Sequence, residues 1–313
     1  MLIQPNNSLR KNDLRYLLTE YQPPRSNKPN ASALRTAKQW AIAANFMNDR
    51  GLTNEGRLVA TKDPYLEATV TNWLIHFYLS LGEQSLWKYF VYDFLPQHST
   101  FSQNEFLNCC IDVFGTEPAA RLLKKVKLLL KTYTDPQSIS KGNFLTQNKK
   151  LYSTGNPELS NYYITGYLLA KIWERDFPSA SSILVDRIID MELGLASILG
   201  IDKDRLRQQL NILAKNEIIE QRSIAPHLVG KKPLLKEDNE LSYQVYRCWE
   251  MPLDLLAKAY ENDIATPNRP LIQSLAGIMA DDENVPDFSQ FLEWAAKLTV
   301  LDGEFNTFIR LAS

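Results

Sequence analysis

Cysteine, histidine and glycine are scarce in this chain, and it contains no long apolar run. Its three cysteines, Cys109, Cys110 and Cys248, cannot build the disulfide framework of a small secreted domain, and two of them are adjacent. A reducing, cytoplasmic setting is expected. No basic segment leads into an apolar one at the start, and no stretch approaches the ~20 apolar residues that span a bilayer, so no membrane partner is expected. The three histidines, His76, His98 and His227, lack a second His or Cys at ligand spacing, which argues against a structural zinc site. The 12 glycines form neither a phosphate loop nor a dinucleotide fingerprint. Gly230-Lys231-Lys232 has the end of a phosphate loop without its leading glycine. No metal and no cofactor are expected.

Acid–base chemistry has little to work with. His76 with Asp63 and Glu67 is the one cluster that can be drawn as a general acid–base site. Nine residues separate His76 from Glu67, some two and a half helical turns, so the favoured role is a buried, hydrogen-bonded structural histidine. Cys109 and Cys110 fall on an apolar helix and read as small core residues. Asp281-Asp282-Glu283 lacks the alternating ligands and central glycine of a calcium loop. No catalytic residue is expected.

What the chain does have is charge arranged in blocks. Its formal net charge is −1, yet residues 1–50 carry a net +5, 51–120 a net −5, 121–150 a net +7, 151–200 a net −3, 201–236 a net +4 and 237–313 a net −9. Three basic blocks can converge on a nucleic acid or lie as scattered, solvated helix faces. With 44% hydrophobic and 23% charged residues the composition is that of a globular protein. Leucine is abundant and β-branched alternation rare, so the fold class is mainly α.

Along the chain, a helix is predicted over 9–20 and a second from 33 to 48, capped by Ser32, with Ala37, Trp40 and Ala44 as its apolar stripe. Arg35, Lys38, Gln39 and Asn45 lie away from that stripe. Residues 51–53 then read as a turn and 56–59 as an extended piece, giving a helix-turn-helix-like module over 1–62. An aromatic-rich helical domain follows over 63–178, with helices at 67–81 and 83–95 and a further helix capped by Ser102 with Glu105. Arg121 to Lys131 is a basic amphipathic helix, read as docked on the domain with its cations in water or near phosphate rather than on a membrane. Residues 135–160 read as loop, and Asn161 to Asp176 as a helix.

The most informative segment is Met191 to Arg222. A short helix, a turn at Gly200-Ile201-Asp202 and a longer helix capped by Asp202 are followed by a strand. Leu206, Leu210 and Leu213 share one face of the longer helix. Lys203, Arg207, Gln208, Asn211 and Lys215 lie off it, and residues 229–233, with Lys231 and Lys232, suggest a basic hairpin tip. This is the order of a winged helix-turn-helix, expected over 179–250. An acidic helical segment over 251–313 closes the chain, with helices near 252–262, 269–280 and 287–299.

A family resemblance rests on residues 52–106. Leu52-Thr53 with Gly56, Asp63-Pro64-Tyr65-Leu66-Glu67 and Trp73-Leu74-Ile75-His76, continued by Trp87, Phe90, Phe101 and Glu105, are similar to the bacterial domain-of-unknown-function family 4007. The Arg35-to-Trp40 helix, Leu128 to Tyr133 and the Pro252-Leu253 helix with Tyr260 extend it more loosely. That family occurs near DNA phosphorothioation and phage-defence genes, and the resemblance implies that context without implying any catalytic residue.

These readings give a helical bundle core with two winged helix-turn-helix-like modules. They favour a non-enzymatic protein that contacts duplex DNA. Lys and Arg at 35, 38, 203, 207, 215, 231 and 232 would meet phosphates, and Gln39, Asn45, Gln208 and Asn211 base edges. The alternatives are an adaptor with protein partners from a DNA-modification or defence system, and an enzyme acting on DNA or a nucleotide.

Overall fold

The structure, a computed structural model, describes residues 5, 7–19, 28–82, 85–115, 117–223 and 243–263. Lys231, Lys232 and the expected hairpin tip, together with the helices expected at 269–280 and 287–299, lie outside the described residues. The fold is mainly α, with small antiparallel sheets between the helices.

Its centre is α4 (Thr69–Ser80), a helix buried on nearly every side from Val70 to Phe77. A helix apolar all round belongs inside a protein. Around it stand α2 (Ala31–Ala43), α5 (Leu86–Lys88), α8 (Tyr162–Asp176) and α10 (Leu195–Leu199). Trp40, Trp73, Trp87 and Trp173 are all buried to within 2% exposure, each contributing roughly 1.5–3 kcal/mol of hydrophobic stabilisation. The aromatic helix expected at 83–95 begins as α5 and continues as a π-helical turn over Tyr89–Phe94. That wider turn, with Leu95 N–H donating to Phe90 O at 2.9 Å, sets Phe90 and Phe94 against Phe101 and Phe106. The density of aromatic residues is core, as expected.

The N-terminal segment departs from the helix-turn-helix reading. α1 (Lys11–Leu18) packs on α2, but α2 is capped by Asn30, whose side chain accepts from Ala33 N–H at 2.9 Å, and it stops at Ala43. Asn45 follows in the left-handed region at φ 58°, so it is not on the helix. A two-residue hairpin, β1 (Met47–Asn48) with β2 (Gly51–Leu52), intervenes. Residues 56–59 are then helical rather than extended, inside α3 (Asn54–Lys62), which Thr53 caps through Gly56 N–H at 2.9 Å. The sequence signal missed here was the cap: Thr53 satisfies a helix start that Gly56, three residues on, disguises.

Residues 135–160, expected as loop, hold a second hairpin. β4 (Leu145–Asn148) and β5 (Leu151–Thr154) pair with each other, and β5 pairs with β3 (Thr100–Ser102), in the order β3-β5-β4. Only Phe101, Leu145 and Tyr152 point inward, so the strands look polar in sequence. β3 leads into α6 (Gln103–Phe114), whose start carries the expected reciprocal capping box of Ser102 and Glu105. α6 and α7 (Ala119–Thr134) pack together, and β4 lies against α7.

The last section runs α8, β6 (Ser182–Leu184), α9 (Val185–Ile189), α10, α11 (Lys203–Lys215), β7 (Ile219–Ser223) and β8 (Tyr243–Arg247). Its sheet is antiparallel in the order β6-β8-β7, so the strand latest in sequence is central. Gly200 turns the chain at φ 63°, and Asp202 accepts from Arg205 N–H at 2.7 Å to start α11. Leu206, Leu210 and Leu213 are buried, as the spacing predicts. α12 (Pro252–Glu261) then packs back on α8 and α3. All described residues fall within one compact unit, Met1–Thr266.

Candidate functional site

On α11 the outward side chains are Lys203, Arg207, Gln208, Asn211 and Lys215, all exposed. Several are already engaged. Lys203 Nζ sits 2.6 Å from Asp190, and Arg207 lies 3.3 Å from Asp204 and 4.0 Å from Asp186. Asn211 accepts from Gln221 at 3.2 Å. Gln208 and Lys215 have no side-chain partner among the described residues. The helix therefore offers polar groups to a ligand, but two of its cations, Lys203 and Arg207, are balanced by carboxylates on or just after α9 and on its own first turn.

On α2, Arg35 and Lys38 are exposed and Gln39 half-buried. Neither cation has an acidic partner among the described residues. Asn45 serves the fold instead. Its carbonyl accepts from Thr53 Oγ1 at 2.6 Å. Asn45 thus stands beyond the end of the helix on which the spacing predicts it, in the turn that leads to the β1–β2 hairpin. Tyr78 and Tyr167 share a 2.7 Å hydrogen bond and both reach Glu55 Oε1 at 3.2 Å, a buried polar knot that no sequence spacing announces.

The single acid–base cluster drawn from the sequence comes apart. His76 is buried beneath α10 with both ring nitrogens occupied. Nε2 lies 3.1 Å from the Ile198 carbonyl, which can only accept, so the proton is on Nε2. Nδ1 must then accept from the Tyr133 hydroxyl, 2.9 Å away. The ring stacks on Phe144 with centroids 4.2 Å apart. Burial holds its pKa down at about 4 against an ordinary 6.5. A neutral imidazole with no free nitrogen is a strut, not a base.

Asp63 closes α3, and its side chain reaches the start of α4. It accepts from Glu67 N–H and Ala68 N–H, each at 2.9 Å, and from the Thr71 hydroxyl at 2.6 Å. Thr71 also meets the Tyr260 hydroxyl at 2.9 Å, and Asp263 accepts from Val70 N–H at 2.7 Å. Two carboxylates thus cap one helix, one of them returning from beyond α12. Burial lifts the Asp63 pKa to about 6 despite those hydrogen bonds. Because its folded pKa exceeds the unfolded 3.8, Asp63 contributes most stability below about pH 4 and loses it as pH rises through 6. Asp63→Asn is expected to abolish that decline, read as urea midpoints from pH 4 to 7. A variant profile parallel to the wild type contradicts the assignment.

Above His76 opens a cleft of about 390 Å³, bounded by Tyr133, Phe144 and Pro157 on one side and by the α10–α11 turn from Ala196 to Asp202 on the other. Its floor is apolar, with Ser99, Thr154 and Ser197 as hydroxyls in the lining. No group of three or more His, Cys, Asp or Glu side chains among the described residues is close enough to hold a metal ion. No helix among them is long and apolar enough to cross a membrane.

Residues 33–225 match the family described as "Protein of unknown function (DUF4007)". The chain belongs to that family. The matched span takes in α2 through β7, including both candidate helices. Two solved structures share the fold of this DUF4007 member: a crystal structure of SspB with a magnesium ion bound and one described only as SspB. Each has a TM-score of 0.58 and 16% sequence identity, over 84% of this chain and 88% of the other. No curated protein matches the chain.

Proposed function

We propose that this protein binds duplex DNA within a bacterial DNA-modification or phage-defence system, as a non-enzymatic component in the cytoplasm. The carrying observation is the unit from α8 to β8. Its helix, strand, helices and two closing strands, with the last strand central in the order β6-β8-β7, support a winged-helix reading, in which α11, with its polar side outward, would be the recognition helix. The phosphorothioation setting rests on the family resemblance. A binding role also fits His76, whose nitrogens are both consumed inside the fold. SspB binds magnesium in one of its structures.

The test is fluorescence anisotropy of plain and phosphorothioated duplexes across salt concentrations. Affinity is expected to fall with salt by a log–log slope of about −0.9 for each phosphate neutralised. Absence of binding to either duplex, or binding that ignores salt, refutes the proposal.

A second reading is favoured by a specific observation. Leu184, Ile212, Tyr243 and Met251, on or beside this unit, are 38–54% exposed, and the paired charges of α11 suit a protein surface as well as a nucleic acid. An adaptor would form a sedimenting complex with modification or nuclease subunits while showing no duplex affinity.

A further inference from the structure

The two strongest basic features of the described residues differ in one respect: what their cations are doing. On α11, Lys203 and Arg207 are engaged by Asp190, Asp204 and Asp186, Asp202 and Asp204 stand at the helix start, and Arg205 and Lys215, near opposite ends of the helix, are the cations without an acidic partner among the described residues. On α7, Arg121, Lys124 and Lys127 are exposed and have no acidic partner among the described residues. Their spacing of three residues places them along one side of the helix, with Lys131 continuing the row. The row extends about 15 Å. The opposite side, with Leu122, Val126, Leu129 and Leu130, is buried in the core, so the cations are carried on a rigid element. Among the described residues the ion pairs made by α7 are Lys131 with Asp135 at 3.5 Å and the neighbouring Lys125 with Glu117 at 2.6 Å. The β4–β5 hairpin, whose first strand packs on α7, adds exposed Lys149 and Lys150 at its turn.

We propose that the outer face of α7, not α11, is where this protein grips the phosphate backbone of nucleic acid. The inference rests on the DNA-binding reading above and assigns its electrostatic surface. A cation free of carboxylates releases the counterion of a phosphate at full value, whereas one held by aspartate must first give up its partner. In this arrangement α7 holds the duplex backbone, and α11, with Gln208 and Asn211, is left to read bases.

The experiment compares the wild-type full chain with Arg121→Ala/Lys124→Ala/Lys127→Ala and with Lys203→Ala/Arg207→Ala, by anisotropy of a fluorescein-labelled random-sequence duplex across salt. Thermal melting checks that each variant is folded. The α7 variant is expected to bind at least about tenfold more weakly at low salt, with a salt slope shallower by about 2 to 3. The α11 variant should stay within about threefold of wild type. Lys124→Arg/Lys127→Arg, which keeps the charge, should bind as wild type. An α7 variant indistinguishable from wild type, or a loss carried by the α11 pair alone, overturns this assignment while leaving DNA binding intact. Wild-type protein that ignores the duplex overturns both. So does wild-type protein that binds vesicles of phosphatidylserine through the same α7 cations in place of the duplex.

Discussion

Replacing Gly56 by alanine is expected to cost about 3 kcal/mol or more of folding stability. A β-carbon at this position would stand 1.8 Å from the Phe46 carbonyl oxygen, 2.7 Å from its carbon and 3.0 Å from its Cα. These are backbone atoms, and they are held. Phe46 N–H donates to Ala41 at 2.7 Å, Phe46 O accepts from Thr53 N–H at 3.0 Å, and the phenyl ring is buried. Neither side of the contact can yield without pulling the β1–β2 hairpin from α3. Urea unfolding should show a large fall in midpoint at an unchanged slope. A loss below about 1 kcal/mol would mean that the two backbones do not approach this closely.

His76→Ala should be comparably severe near neutral pH and milder in acid. The substitution opens a void under α10 and strips partners from the Tyr133 hydroxyl and the Ile198 carbonyl, a combined cost of about 3 to 5 kcal/mol. Its pH dependence follows from the depressed pKa. The unfolded chain takes up the His76 proton near pH 6.5 and the folded chain only near 4. The wild-type contribution is therefore complete above about 6.5 and is lost as pH falls towards 4. The gap between wild type and variant should narrow by roughly 3 kcal/mol across that window. Asp63 drives stability the opposite way but is present in both proteins, so it cancels from the difference. A gap that stays constant from pH 7.5 to 4.5 would show that His76 is not held neutral.

These two residues show what the sequence carried and what it did not. The family resemblance drew on Thr53, Gly56, Asp63, Trp73, His76 and Glu105. In the structure they are a cap, a close backbone approach, a second cap, a buried ring, a strut and a capping-box acid. They specify how the chain folds, which explains why the resemblance identifies the family without locating a site. The α11 segment was legible because its leucine spacing, glycine turn and aspartate cap are all local signals. The β4–β5 hairpin was not, because most of its residues face outward and only long-range pairing with β3 makes them strands. Nor could spacing show that Lys203 and Arg207 meet Asp190, Asp186 and Asp204 while Arg121, Lys124 and Lys127 on α7 meet no acid among the described residues. That distinction decides where the phosphate surface is proposed, and it appears only once α9 is folded against α11.

The central position of β8 bears on synthesis of the chain. β6 and β7 are complete by residue 223, yet each pairs only with a strand that begins at Tyr243, and the start of α4 waits longer still for Asp263. While a ribosome is still adding the intervening residues, both strands emerge with bare hydrogen-bonding edges, and a buried helix lacks half of its cap. A polypeptide released after residue 225, the end of the family match, would be left in that state. Premature termination there would yield an aggregation-prone species rather than a smaller working domain.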